Sequence, residues 1–245
     1  MHRHSYPYAL CYAYCVQRGT GRRLVVPDIH GCYHSLQALL AQVQLRPDDQ
    51  LFLLGDYIDR GPHSKATLQF IMQLKKQGYE VYPLRGNHEQ MLLEVYFESP
   101  ERLKEHLLFH QAKDLLSDDG GLDSEILDFL LHLPFFIETD VAILVHGGLD
   151  CNESNPFVAF DKLLWTRDSR GAEKWLRGKK LIHGHTPRLL FQIEEAIEEN
   201  APIINLDNGC VIADDNQEAG NLLCYDIDRK QIIAIQPNVD ALKSL

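Results

Sequence analysis

The chain has 245 residues, enough for one large α/β domain or two small ones. Lys and Arg number 24 against 35 Asp and Glu, a formal charge of 24 − 35 = −11, which argues against wrapping nucleic acid through many cationic contacts. Hydrophobic residues make up 45%, ample for a core, and no stretch is long enough to span a bilayer. Any phosphate site in so acidic a chain must be made locally positive, by metal ions or a few arginines. The six cysteines (Cys11, Cys15, Cys32, Cys151, Cys210, Cys224) lack zinc-like paired spacing. A disulfide scaffold is unnecessary at this size, so a reducing cytoplasm is the expected compartment.

In chain order, residues 1–21 read as a poorly ordered N-terminal extension: basic at Met1–His4, then an apolar, Tyr-rich run broken by Pro7. It lacks the cleavage site of a secretory signal. Residues 22–245 read as a single domain. Leu24–Val26 is a short buried strand ending at Asp28, and the next helix carries Leu36, Leu39, Leu40 and Val43 on one face. Leu51–Leu54 is a second buried strand. Ser64 is the expected N-cap of a helix bearing Leu68, Ile71 and Met72, and Glu80–Leu84 is a third strand. Such strand–helix–strand links predict a parallel sheet. The middle is helical: Met91–Phe97, a helix from Ser99-Pro100 toward Lys113, and a stripe of Leu122, Ile126, Phe129, Leu130 and Leu133 expected to pack in the core. Phe135–Glu138 and Val141–Val145 read as a hairpin. Strands at Lys180–Ile182 and Ile203–Leu206 follow, and Leu222–Ile227 pairs with Gln231–Ile235. The acidic run Glu194–Asn200 reads as a solvated face or loop.

Six short fragments punctuate this pattern: Asp28-Ile29-His30-Gly31, Gly55-Asp56-Tyr57-Ile58-Asp59-Arg60-Gly61, Arg85-Gly86-Asn87-His88-Glu89, His146-Gly147-Gly148, His183-Gly184-His185-Thr186 and Asp207-Asn208-Gly209. Each follows the carboxyl end of an expected strand, where open α/β sheets place ligand sites. Together they offer the oxygen and nitrogen donors that two neighbouring divalent ions need, and Asp56 can bridge them through its two oxygens. Mixed carboxylate, amide and imidazole donors suit Mn, Fe or Zn better than Ca or Mg. Two such ions can lower the pKa of a bridging water, clamp phosphoryl oxygens and set up in-line attack without a covalent intermediate. A histidine held by a carboxylate keeps its tautomer and can stay protonated near neutral pH. His63, His106, His110 and His132 are expected on surfaces or helix faces, with His2 and His4, and Tyr57 is expected to pack.

The ordered set resembles the metallophosphoesterase (calcineurin-like) superfamily, and within it the PPP serine/threonine protein phosphatases in their compact bacterial form. The resemblance runs from about Arg22 to Asp228. It implies an α/β fold, a β-sandwich of mixed sheets flanked by helices, with the metal site at the carboxyl ends of the strands. It implies that Asp28, His30 and Asp56 hold one ion, and Asp56, Asn87, His146 and His185 the other, manganese being favoured. His183 is the alternative to His185, and the family pattern points to His185. By the same likeness, His88 gives its proton to the leaving oxygen, Asp59 orients it, and Arg60, Arg85 and Arg167 surround the phosphate. Two departures stand out: Pro27 where the family has Gly, and Asp207-Asn208-Gly209 where it has Asp-Thr-Gly. The substrate implied is a phosphorylated protein or small phosphoester, with no nucleic acid, membrane or eukaryotic-type regulatory subunit as partner. A related enzyme class, the symmetrical dinucleoside tetraphosphate hydrolases, is the alternative. Those enzymes usually lack the Asp supplied here by Asp59 and read Asn-His-Asp where this chain has Asn-His-Glu. A non-catalytic scaffold would have lost ligands, and none is missing.

Overall fold

A computed structural model of the chain describes residues 8–212 and 218–240. In order along the chain the strands and helices are β1 (Ala13–Cys15), β2 (Arg23–Val26), α1 (Tyr33–Gln42), β3 (Gln50–Leu53), α2 (Ser64–Lys76), β4 (Glu80–Pro83), α3 (Asn87–Glu98), α4 (Leu103–Phe109), α5 (Ser124–Leu131), β5 (Phe136–Glu138), β6 (Ala142–Val145), α6 (Phe160–Trp165), α7 (Glu173–Leu176), β7 (Lys180–His183), α8 (Leu190–Glu198), β8 (Ile203–Asn205), β9 (Asn221–Asp226) and β10 (Gln231–Pro237). They form two five-stranded sheets, ordered β1-β5-β6-β7-β8 and β10-β9-β2-β3-β4. Strands β2, β3 and β4 run parallel, as do β6, β7 and β8, while β9 lies antiparallel to β2. The architecture is the expected mixed α/β sandwich.

Alternation along each strand explains the layers. Leu24, Val26, Leu51 and Leu53 point outward to α1 and α2, while Val25, Phe52 and Leu54 point inward. The inward set meets Leu144, Ile182, Ile204, Leu223 and Tyr225, so the two sheets share one core. On the far side Ile143, Val145 and Leu181 pack under Leu163, Leu164 and Leu176. Both faces of each central strand are therefore covered, which is why their sequences are near-continuous apolar runs. Each fully buried aliphatic side chain contributes roughly 1.5–3 kcal/mol.

Several expectations shift. The part of the leader that is described, from Tyr8 onward, is built into the sandwich: Ala13–Cys15 pairs in parallel with Phe136–Glu138. Residues 1–7, with His2 and His4, lie outside the described residues. Ser64 is the first residue of α2 and not its N-cap. Its hydroxyl accepts the Asp59 N–H at 3.0 Å. The helix expected from Ser99 is interrupted, ending at Phe109 with His110 and Gln111 outside it. Of the two options for the acidic run, the solvated face holds: Glu194, Glu195 and Glu198 are exposed on the last turns of α8.

Candidate active site

Parallel strands bring their carboxyl ends to one edge. The loops after β2, β3 and β4 carry Asp28 and His30, Asp56 to Arg60, and Asn87 with His88. Those after β6, β7 and β8 carry His146, His185 and Asp207. The approach is too close for side chains at several glycines, Gly86 and Gly184 among them. A Cβ on Gly86 would lie 2.1 Å from Asp56 Oδ1, and one on Gly184 2.1 Å from Asp28 Oδ1. Of eleven non-glycine residues with positive φ among the described residues, five are His30, Asp56, Asp59, Arg60 and His185. Such backbone costs of order 1–3 kcal/mol each and persists only where the surroundings enforce it.

The donor atoms converge on Asp56. His30 Nε2 lies 3.5 Å from Asp56 Oδ2 and His146 Nε2 3.4 Å from Oδ1. Asp56, His146 and His185 form one group with ligand atoms within 4.8 Å of one another; His30, Asp56 and His88 form another. Backbone oxygens fix the ring orientations. His30 Nδ1 meets Ile58 O and His146 Nδ1 meets Leu54 O, each at 2.9 Å, which turns both Nε2 atoms into the cleft. Asp28 accepts the His185 N–H at 3.1 Å on each oxygen.

This cluster fits a pair of cations. His146 faces carbonyl oxygens with both nitrogens, Leu54 O at 2.9 Å and Asn87 Oδ1 at 2.8 Å, and a neutral imidazole has one proton to offer. Burial and the neighbouring His185 push His146 well below its usual pKa, so it stays neutral. One pair of acceptors is left aimed at the same space, which a shared cation resolves. His185 Nε2 is buried without a hydrogen-bond partner. Burial, then the charges of Asp207 and Asp56, raise Asp28; burial and Glu89 raise Asp56. Excess negative charge packed this way asks for positive charge from outside the chain.

Beside the cluster, His88 Nδ1 meets Asp59 Oδ2 at 2.6 Å. Arg60 reaches across, donating to Nε2 of His30 and of His88 at 3.0 Å each. Burial and the Arg60 charge lower His88 to about 4, and burial raises Asp59 to about 7. His88 thus has an acceptor at Nδ1 and a donor at Nε2, partners that suit the Nδ1–H tautomer. Burial and then the charge of the exposed Arg167 lower His185 to about 4, and Trp165 stands edge-on to that ring at 5.9 Å.

Arg85 is not at this site. Its guanidinium is fully buried on the other side of the loop, donating to Tyr8 O, Gln90 Oε1, Leu130 O and Leu131 O and lying 5.0 Å from the Phe135 ring centroid. It stitches the leader and α5 to the Asn87 loop and leaves nothing for phosphate. His183 stands apart from the donor groups, its Nδ1 3.2 Å from Gly184 O, while Tyr57 packs with its hydroxyl donating to Leu84 O at 2.7 Å.

Two contributors had no expected role. Glu89 is buried and accepts N–H groups from Asp56 at 2.9 Å, Tyr57 at 2.7 Å and Gly86 at 2.8 Å, bracing the β3 and β4 loops against each other. Its place three residues after Gly86, at a helix start, was the available signal. His110 lies with Nδ1 3.6 Å from Asp59 Oδ2, a second histidine on the same carboxylate, and no local pattern marks it.

Comparison with known proteins agrees with this geometry. Residues 21–223 match the calcineurin-like phosphoesterase family, whose members imply two divalent metal ions. A symmetrical bis(5'-nucleosyl)-tetraphosphatase of Erwinia tasmaniensis is 38% identical over 130 residues, covering 51% of this chain and 43% of that protein. One from Dechloromonas aromatica is 37% identical over 127 residues, covering 51% and 42%. The matched stretch is thus less than half the length of these relatives. Among solved structures, a provisionally named diadenosine tetraphosphatase superposes with a TM-score of 0.65 at 20% identity, covering 93% of this chain and 98% of that one. A serine/threonine phosphatase from Saccharomyces cerevisiae gives 0.61 at 17% identity, covering 93% and 84%. A cold-active protein-tyrosine phosphatase from Shewanella gives 0.58 at 18%, covering 90% and 78%. At these identities the structures speak for the fold alone. With a family match spanning most of its length and a cluster built for two cations, the chain belongs to the calcineurin-like phosphoesterases.

Proposed function

We propose that this chain hydrolyses dinucleoside tetraphosphates symmetrically, releasing two nucleoside diphosphates. The observation that carries a phosphoester or anhydride substrate is the convergence of His30, His146 and His185 on Asp56, with Arg60 at its mouth. The similarity to symmetrical bis(5'-nucleosyl)-tetraphosphatases supports the tetraphosphate over the phosphoprotein that the sequence motifs favoured.

Asp28, His30 and Asp56 would hold one divalent ion, and Asp56, Asn87, His146 and His185 the second. When bound, the ions lower the pKa of a water and neutralise charge on the phosphoryl group. Manganese, iron and zinc all suit this donor set. Arg60 turns from His30 and His88 to the phosphate oxygens, where its planar fork has matching acceptors. Arg167, exposed and close enough for its charge to act on His185, is assigned the same role. Release of His88 Nε2 by Arg60, together with a phosphate anion nearby, raises that imidazole and lets it take up a proton. Asp59 holds the ring through Nδ1, so the proton sits on Nε2, facing the leaving oxygen.

The His88–Asp59 pair also favours a second reading, hydrolysis of phosphomonoesters including phosphorylated side chains. An alkoxide leaving group needs a proton, whereas a departing diphosphate, with a phosphate pKa of about 6, needs little help. A side-by-side assay of manganese-loaded protein on diadenosine tetraphosphate, phosphoserine and phosphotyrosine peptides and an aryl phosphate decides between them. The proposal expects the highest kcat/KM on the tetraphosphate, with ADP as the nucleotide product. Highest turnover of a phosphopeptide, or AMP and ATP as products, overturns it. His88→Asn should lose roughly 10²–10⁴ in kcat on alkyl monoesters and far less on the tetraphosphate.

A further inference from the structure

A cleft of about 550 Å³ opens beside Arg60, walled by Gly61, Pro62, Leu108, Lys113, Asp114 and Val211. That size falls within the roughly 300–1,000 Å³ of small-ligand pockets. It lies on the proton-donor side of the candidate active site. Arg60 donates from its side chain to His88 and from its backbone to His110 O at 2.8 Å, and Leu108 and Lys113 flank His110 in the chain. In an in-line displacement the leaving oxygen departs on the side of the group that protonates it. Whatever is attached to that oxygen must then pass His88 and Arg60 into this cleft.

The lining mixes apolar surface with charged and amide groups, Gln111 and Asn238 among them, a combination that suits a nucleotide. Leu108, 54% exposed, and Pro62 give an apolar wall beside two cations, Arg60 and Lys113. An aromatic base with an anionic tail covers both kinds of surface at once. Asp114 adds a carboxylate to the wall, its Oδ2 held by the Lys65 N–H at 2.7 Å.

We propose that this cleft seats the departing nucleoside diphosphate, with Lys113 and Arg60 on its phosphates and Leu108 and Pro62 against its base. This rests on the tetraphosphate reading above and names its leaving-group subsite. The test measures ADP and inorganic phosphate binding to the full manganese-loaded chain by calorimetry, in wild type, Leu108→Asp and Lys113→Ala. Both substitutions are at exposed positions and leave the metal ligands untouched. Each should weaken ADP about tenfold, a single-contact loss, while phosphate affinity and aryl phosphate turnover stay within about twofold. Unchanged ADP affinity in both variants, or no ADP binding by wild type, overturns the subsite. So does a loss confined to phosphopeptide turnover, which assigns the cleft to a peptide. The two proposals fail separately. Wild type that binds ADP through Leu108 and Lys113 but leaves the tetraphosphate intact keeps the subsite and loses the function. Turnover indifferent to both variants does the reverse.

Discussion

Both ends of the central strands bury charge, and they handle it in opposite ways. At the amino ends every buried carboxylate or guanidinium has an opposite partner within the chain. Asp49, at the start of β3, accepts from Arg22 N–H at 2.9 Å and Nε at 3.1 Å, and from Arg46 N–H at 2.9 Å. Arg23, at the start of β2, bonds both Asp140 and Asp228. At the carboxyl ends Asp28, Asp56 and Asp207 crowd together among imidazoles whose pKa burial lowers, with Arg60 against two of the rings. The first arrangement is complete in the protein alone and serves stability. The second is complete only with cations from outside, and that incompleteness is what makes it a site.

The largest effect that could break this contrast is at Asp56. Asp56→Asn should cut activity by roughly 10³-fold or more, because metal clamping is worth several kcal/mol and about 1.4 kcal/mol is tenfold in rate. It should also abolish the rise in Tm that manganese gives wild type. The metal-free variant should melt no lower than metal-free wild type, since the carboxylate removed is one that burial penalises. Melting with and without manganese, with elemental analysis, checks all three. A drop of several degrees in the metal-free Tm would mean that the cluster sustains itself without cations.

At the amino ends the expected pattern inverts. Asp49→Ala should cost about 2–4 kcal/mol, read from urea midpoints, with specific activity of the folded fraction unchanged. Burial alone would raise the Asp49 carboxyl, but hydrogen bonds from Arg22 and Arg46 outweigh it and hold it well below the usual carboxylate range. A depressed folded pKa contributes stability that is full above the unfolded value of about 3.9 and is lost as pH falls toward the folded one. The stability gap between wild type and Asp49→Asn should therefore be constant above about pH 4 and shrink below it. A gap that widens on acidification would contradict the pairing.

The smallest effect serves as the control. Lys76 and Glu125 pair at 2.9 Å with both side chains well exposed, away from either strand end. Lys76→Ala should move stability by no more than about 0.5 kcal/mol and leave activity alone.

The sequence exposes the two ends unequally. Donor types, their order and their position after apolar strands are local facts, so Asp28, His30, Asp56, Asn87, His146 and His185 can be singled out as candidate ligands directly. The direction a side chain takes from a loop is not local. Arg85 sits two residues from Asn87, yet its guanidinium serves Leu130 and Leu131, which only the docking of α5 places there. His110 is invisible for the same reason, brought to Asp59 by a helix some fifty residues on. Glu89 was visible as a letter in a motif. Its work on three amides needs Gly86 bare, since a Cβ there would lie 2.7 Å from Glu89 Oε2.

The pairing of β1 with β5 has a consequence for how the chain reaches this state. Ala13 and Phe136 are register partners 136 − 13 = 123 residues apart, so the leader can dock only after most of the chain exists. Closing so long a loop is entropically late in folding, well after the strand–helix–strand units have formed. Until then Arg85 lacks the Tyr8 carbonyl, and the loop carrying Asn87 and His88 is tied on fewer sides. The β2–β9 pairing spans still more chain, 226 − 24 = 202 residues, so both sheets depend on late, distant partners. In one of them the docking of β1 completes the anchoring of the loop that carries Asn87 and His88.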